Sequence, residues 1–356
     1  MPRRTLWIGI DVGADEVSLC ATDERGAVVY QSGCVTKAKA IHEILKRDKR
    51  RIKLIGMESG SFGIPLTRSL RRLGYPVAVF EARQASKFLA IRRNKTDRGD
   101  AKGLADLSRI GRGSVSEVRV KSPECQRLRS TLIMRQKLVQ LRVTMEGALC
   151  SLIRLNGGKL KRSSTLVGFK QNVQAEMKRL QRIEKVDLRE DTEPLIALSC
   201  ATRGYVDRLD KRLLRVAEEN PACKRFMAIP GVGLLTALSF YSSIEDPHRF
   251  RRNEDVGAFL GLVPTLHQSG QTASRRRISK AGDKLTRSLL SIAAQHHVQW
   301  ADTAISSWGK KLSERLKPRG VHTAVARKLA VTMLAIWKAD VPYEAYPQNG
   351  VTFTDK

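Results

Sequence analysis

The sequence predicts a mixed α/β domain at its N-terminal end and a mainly helical remainder, and three observations carry that prediction. Short apolar runs bounded by turn residues alternate with helical periodicity from residue 5 to about residue 115. Leucines then recur at spacings of three, four or near multiples over residues 128–152, as in a long amphipathic helix. Four carboxylates, Asp11, Glu58, Asp97 and Asp100, stand at strand ends and in one helical turn, in a chain whose formal net charge is +30.

The elements follow in order. Leu6-Trp7-Ile8-Gly9-Ile10 reads as a strand ending at Asp11, Val17 to Thr22 as a second, and Ala27-Val28-Val29-Tyr30 as a third after the turn Asp23-Glu24-Arg25-Gly26. A helix over 38–47 precedes the strand that ends at Glu58. Another helix covers 64–73, with Gly74 as its C-cap, and 76–80 is a further short apolar strand before the pattern turns helical again. The order β-β-β-α-β-α-β-α places Asp11 and Glu58 at the ends of two strands that can be neighbours.

From Pro123 the periodicity lengthens into one helix to about 152, a basic Gly/Ser-containing break at 156–164, and a second helical stretch over 173–219 interrupted near Pro194. Such helices suit a coiled-coil arm or dimerisation element, or an ordinary bundle packed on the first domain. A third unit begins at Phe226 and closes with an apolar helix over 325–337. The expected domains are 1–118, 119–222 and 223–340, with a loose tail over 341–356.

Composition narrows the function. A sequence pI near 10.4 suits a partner with a phosphate backbone, because each neutralised phosphate releases counterions. The cations are spread along the chain and not gathered on one amphipathic helix, which disfavours a membrane surface. No apolar run of about eighteen residues occurs, so no membrane span is expected. Met1-Pro2-Arg3-Arg4 lacks the apolar stretch of a signal peptide, and six cysteines without CxxC spacing suit a reducing cytosol.

Carboxylates brought together repel one another unless a cation lies between them, so the four acids predict a divalent-metal site. Asp97 and Asp100, three apart, share one helix face. Each acid alone is more readily a cap, a turn residue or an ion-pair partner, and it is the joint pattern that favours the site. Pro230-Gly231-Val232-Gly233 resembles the hairpin of a helix-hairpin-helix, in which glycines let backbone amides approach a phosphate, and is also a plain helix-initiating turn. Residues 261–270 read as a loop from their Pro and Gly content. Ser269, before Gly270, is either a turn residue or a nucleophile toward a phosphodiester, and His267 lies near it. Arg275, Arg276, Arg277 and Lys280 are candidate phosphate contacts beside Ser269, as are Lys95 and Arg98 beside the helical acids.

As an ordered set, several motifs carry a specific resemblance. They are 8–12, Gly56-Met57-Glu58-Ser59-Gly60, Phe80-Glu81-Ala82-Arg83, 95–101, Pro230-Gly231-Val232-Gly233, 261–264, Gln268-Ser269-Gly270, 277–283 and 326–331. The chain resembles the insertion-sequence transposases with an N-terminal RuvC-like DEDD domain and a C-terminal serine domain, the family that includes pilin-gene invertases. The resemblance spans most of residues 5–340. It implies an RNase H-like fold, then a coiled coil, then a mainly helical serine domain. It makes Asp11, Glu58, Asp97 and Asp100 a magnesium-binding tetrad and Ser269 the residue that links covalently to DNA. The choice of Ser269 over Ser274 or Ser279 rests on the Ser-Gly match. It further implies homodimers or homotetramers with a composite site, and in some members a structured guide RNA encoded by the element. Phe62 stands where many relatives carry tyrosine, which leaves the tetrad unaffected.

The expected function is therefore DNA strand cleavage and exchange by transesterification. Two alternatives stand beside it: a metal-dependent, structure-selective nuclease that hydrolyses with water, and a nucleic-acid-binding protein without chemistry.

Overall fold

The computed structural model describes residues 5–90, 96–110, 113, 115–269 and 272–346, with the backbone alone at 266–269 and 272–277. It divides into two compact units, Met1–Lys121 and Ser122–Lys356.

In the first unit, strands β1 (Thr5–Val12), β2 (Glu16–Thr22) and β3 (Val28–Val35) form the expected meander, followed by α1 (Ala38–Leu45), β4 (Arg51–Glu58), α2 (Gly63–Arg72), β5 (Val77–Phe80), α3 (Ala82–Leu89) and α4 (Asp97–Ile110). The sheet order is β3-β2-β1-β4-β5. Antiparallel pairing joins β1, β2 and β3, and parallel pairing joins β1 to β4 and β4 to β5. The turn before β3 is held by the Asp23 carboxylate, which accepts from the amides of Arg25 and Ala27, both at 2.9 Å. Helix α2 stops where Gly74 takes φ +85°, its amide bonding to the Arg71 carbonyl and that of Tyr75 to Leu70.

Alternation along the strands sorts the side chains into two faces. Leu6, Ile8 and Ile10 of β1 and Ile55 and Met57 of β4 are buried with Ile41 and Leu45 of α1 and Leu66 and Leu70 of α2. The opposite face buries Leu54, Ala78 and Phe80 with Ala85 of α3 and Leu104 and Leu107 of α4. Asp11 and Glu58, each one residue past a member of the first face, belong by this period to the face that carries α4.

The second unit begins with α5 (Pro123–Leu155), whose N-terminus is capped by the Ser122 hydroxyl accepting from the Cys125 amide at 3.1 Å. Next come α6 (Leu166–Ile183) and α7 (Arg189–Glu219). The break in the second helical stretch falls between Ile183 and Arg189, not at the expected Pro194, which lies inside α7. Helices α5 and α7 run antiparallel, because Arg135 pairs with Asp210 while the later residue Glu146 pairs with the earlier Arg203.

The remainder comprises α8 (Pro221–Met227), α9 (Leu234–Ile244), α10 (Asp255–Phe259), β6 (Pro264–Ser269), β7 (Thr272–Ile278), α11 (Lys284–Trp300), α12 (Ala304–Leu312) and α13 (Pro318–Ala339). Val325, Ala326, Leu329, Ala330, Met333 and Leu334 of α13 are fully buried and form the centre of this core. The expected loop at 261–270 is largely a strand: β6 pairs with β7 in a hairpin, and Pro264 opens it, where a missing amide is tolerated. The first residues of the expected loose tail are tied down, since Tyr346 donates to Asp302 at 2.5 Å and the Ala304 amide to the Ala345 carbonyl at 3.1 Å. Among the described residues, no helix is long and apolar enough to cross a membrane.

Candidate active site

Asp11 and Glu58 leave the sheet side by side. Ile10 is the register partner of Met57 on the parallel neighbour, so Asp11, one residue before the end of β1, and Glu58, the last residue of β4, lie on adjacent strands about 4.8 Å apart in the pairing direction. Both acids are half-buried. Two residues before each stands a glycine, and Gly9 and Gly56 are themselves register partners.

Those glycines seat α4. A Cβ on Gly9 would lie 1.9 Å from the Ala101 carbonyl oxygen, and one on Gly56 would lie 2.1 Å from the Ser108 hydroxyl. The helix can therefore lie directly on the strands that carry Asp11 and Glu58. Sequence reasoning found the acids and missed this seat. The signal was present: Gly9-Ile10-Asp11 and Gly56-Met57-Glu58 repeat one Gly-x-acid spacing.

Helix α4 crosses the strands. Ala101 and Ala105 lie over Gly9 of β1, Leu104 and Ser108 lie over Gly56 of β4, and the Arg98 carbonyl accepts from Gln31 of β3 at 3.3 Å. Asp97 and Asp100 thus occupy the β3-side end of α4, Asp97 exposed and Asp100 half-buried. Thr96 caps that end, its hydroxyl accepting from the Gly99 amide at 3.1 Å, and two acids in the first turn suit the positive end of the helix. The strand pair and the helix that carries the other two acids lie on the same face of the sheet, Asp11 and Glu58 standing two residues, about 7 Å, beyond the row of Gly9 and Gly56. Among the described residues, no group of three His, Cys, Asp or Glu side chains is drawn together closely enough to hold a metal ion. The donor chemistry nevertheless fits one: carboxylate oxygens are the ligands that hard divalent cations take, and two of the four are neighbours. Of the flanking cations expected here, Arg98 is exposed in the first turn of α4, and Lys95 lies outside the described residues.

The second candidate cluster lies in the second unit. Pro230-Gly231-Val232-Gly233 connects α8 to α9, as a helix-hairpin-helix requires. Gly231 takes φ +83°, and a Cβ there would meet the Ala293 carbonyl of α11 at 2.7 Å, so that glycine is required by packing. Gly233 is the N-cap of α9 with open space around it, and it leaves the first amides of the helix without a side-chain cap. Buried His297 of α11 fastens the hairpin: Nδ1 lies 2.7 Å from the Pro230 carbonyl and Nε2 2.7 Å from the Thr303 hydroxyl. Burial pushes the His297 imidazole below its ordinary pKa, against the opposing effect of the Pro230 carbonyl.

Ser269 ends β6 opposite Thr272 of β7, and His267 pairs with Ser274. The side chains of Ser269, His267, Ser274, Arg275, Arg276 and Arg277 lie outside the described residues. The base of the hairpin is described: the Ser279 amide bonds to the Val263 carbonyl at 2.9 Å, and that of Lys280 to the Gly261 carbonyl at 3.2 Å. Lys280 itself is exposed in the left-handed region at φ +53°. Beneath lies a network the sequence did not announce. Asp283 caps α11 by accepting from the Thr286 amide at 2.8 Å and pairs with Arg129 of α5. The Thr286 hydroxyl lies 2.7 Å from that of Ser239 and 2.6 Å from that of Ser243.

Comparison with known proteins now bears on both clusters. A sequence model of the DEDD transposases of the IS110 type matches residues 8–155, and the model described as the transposase IS116/IS110/IS902 family matches residues 223–308. The chain belongs to the IS116/IS110/IS902 transposase family. Among its relatives, the transposase for insertion sequence element IS1111A of Coxiella burnetii is 28% identical over 92% of this chain and 88% of the relative. The transposase for insertion sequence element IS1328 of Yersinia enterocolitica is 24% identical over 93% of this chain and 96% of its own. The solved structure of Thermus thermophilus RuvC aligns with 32% of this chain and 99% of its own at 13% identity, with a TM-score of 0.24. As a transposase of this family, the chain acts on DNA in the movement of an insertion sequence. The two matched segments contain Asp11, Glu58, Asp97 and Asp100 on one side, and Gly231, Gly233, Ser269 and Lys280 on the other.

Proposed function

We propose that this transposase cleaves and exchanges DNA strands by transesterification, with Asp11, Glu58, Asp97 and Asp100 of a RuvC-like domain holding Mg2+ or Mn2+ and Ser269 acting as nucleophile. The observation that carries the proposal is the parallel register that sets Asp11 and Glu58 side by side near the ends of β1 and β4, on the face covered by α4. A divalent cation held there supplies Lewis-acid stabilisation of charge on the phosphoryl oxygens. Ser269 Oγ loses its proton and bonds to phosphorus as the bond to one bridging oxygen breaks, leaving a phosphoserine link and a free DNA hydroxyl. A hydroxyl of the exchanging strand then attacks that phosphorus, and the serine leaves with a proton restored. Arg275, Arg276, Arg277, Lys280, Lys95 and Arg98 neutralise phosphates flanking the two clusters, and the amides after Gly233 offer a further phosphate contact.

On the same proposal α5 and α7 form a coiled-coil arm of a homodimer or homotetramer, a structured guide RNA selects donor and target, and the protein works in the bacterial cytosol. The deciding experiment incubates the protein with labelled element-end DNA and Mg2+, then denatures it. A protein-DNA adduct mapping to Ser269, absent from Ser269→Ala and Asp11→Asn, is the expected result. Undiminished cleavage by Ser269→Ala would show that water is the nucleophile and the protein a metal-dependent nuclease. Recombination that survives both substitutions would remove catalysis from these residues altogether.

A further inference from the structure

The basic break between the long helices is a built loop. Helix α5 ends at Asn156 with Gly157 at φ +79°, the Gly157 amide bonding to the Arg154 carbonyl at 3.1 Å and that of Gly158 to Ile153 at 2.8 Å. The chain beyond is held by side chains from α6 and α7. Glu176 accepts from the Lys159 amide at 2.8 Å, and Asn172 donates to the Lys161 carbonyl at 3.0 Å. Arg203, only 4% exposed, donates to the carbonyls of Ser163 at 2.9 Å and Ser164 at 3.0 Å, lies 4.7 Å over the Phe169 ring and pairs with Glu146.

With its carbonyls bound inward, the loop leaves its cations outward. Arg154, Lys159, Lys161 and Arg162 are all exposed and, with Cys150 and Leu160, line a cavity of about 500 Å³. Among the described residues none of these four forms an ion pair, while the nearby Glu176 and Glu184 are engaged by Arg179 at 3.0 and 3.7 Å. Three cations on a loop whose backbone is already ordered, with Arg154 in the last turn of α5 beside them, make an anion surface that loses little entropy on binding.

We propose that this loop grips the phosphate backbone of duplex DNA, without sequence preference, at a distance from the C-terminal body. The other end of α5 is fixed to that body: the Ser122 amide donates to Glu245 at 2.7 Å and Arg129 to Ser243 at 3.0 Å. The 33 residues of α5 extend about 50 Å, or about 15 base pairs of duplex at 3.4 Å each. The loop is thus placed to hold DNA flanking the reacting strands. This inference rests on the chain acting on DNA and is independent of Ser269.

The test measures binding of the full chain to a 60-base-pair duplex across a salt series. It compares wild type with Lys159→Ala/Lys161→Ala/Arg162→Ala and with a control that removes three exposed cations elsewhere, Lys310→Ala/Lys311→Ala/Arg315→Ala. With three fewer phosphates neutralised, the slope of log affinity against log salt should flatten by about 2.7 in the loop variant, with at least about tenfold weaker binding near 0.1 M salt. The control should change much less. Equal weakening in both variants, or a loop variant that binds duplex like wild type, overturns the proposal. A weakening confined to structured RNA overturns its assignment to DNA. Wild-type protein that fails to bind any DNA would sink the transposase reading as well, a result distinct from the others.

Discussion

Gly9 and Gly56 face each other across the parallel pair β1–β4, and a Cβ on either would collide with helix α4, at 1.9 Å from the Ala101 oxygen and 2.1 Å from the Ser108 hydroxyl. The glycines are therefore part of the candidate metal site although neither carries a ligand. Gly9→Ala or Gly56→Ala should destabilise the first unit by about 3 kcal/mol or more, because the Gly9 obstacle is backbone and cannot rotate away. Thermal unfolding checks this, and both variants should also lose DNA cleavage while Gly60→Ala, which meets open space, should not.

The tetrad makes a prediction that needs no substrate. At a Mg2+ or Mn2+ concentration 100-fold above the dissociation constant, the native state should gain about 2.7 kcal/mol. Asp11→Asn and Glu58→Gln should abolish that gain without lowering the melting temperature in EDTA. The same variants should lose about 100-fold or more in DNA cleavage. Metal-dependent stabilisation that persists in both would place the ion elsewhere.

Acid should weaken the second unit in two stages. Burial holds His297 below its ordinary pKa, so its contribution is present above about 6.5 and is lost as pH falls through the lower native value. Burial tends to raise the Asp283 carboxyl, but the Arg129 guanidinium and the Thr286 amide and hydroxyl outweigh it and hold the group below the usual carboxylate range. Its contribution is present above about 4 and is lost below that. Chemical denaturation as a function of pH should show both stages. His297→Asn should remove the first, at a cost of about 1–2 kcal/mol at neutral pH.

Removing Arg129 should be more damaging than its partial exposure suggests, because it leaves the half-buried Asp283 carboxylate without its cation. Arg129→Met should cost about 3 kcal/mol at pH 7. Asp283→Asn should cost less, since an amide oxygen can still cap α11. A double-mutant cycle gives the coupling, and additive costs would show that the pair contributes nothing.

The thiols should react in two classes. Burial pushes Cys223 up to about 12, with Cys125 adding to the effect, and Cys20 and Cys125 are also buried. Alkylation of native protein near pH 8 should label the half-buried Cys150 and Cys200 first, with Cys34 behind them because burial pushes its thiol up, and leave Cys20, Cys125 and Cys223 until unfolding; mass spectrometry of the digested protein reads the order.

Local pattern was enough to find the meander, both strand-end acids, the α2 cap at Gly74 and the helical turn of Asp97 and Asp100, since each depends on periodicity or turn chemistry within a few residues. It failed at Pro194, because the break in the helix falls at 184–188, where no proline marks it. It also failed at 264–269, where Pro and Gly content suggested a loop; pairing with β7, a tertiary relation, makes the segment a strand.

By itself, the sequence determined the kinds of elements, their order, the acids near their ends and a charge suited to nucleic acid. Only the tertiary structure decided that β4 lies beside β1, that paired glycines admit α4 onto those two strands, and that the helix crosses them with Asp97 and Asp100 at its β3 side. The reason is physical. Periodicity is set by neighbours along the chain, whereas strand pairing and helix seating are set by which faces can be buried together, and that choice involves residues about fifty to a hundred positions apart.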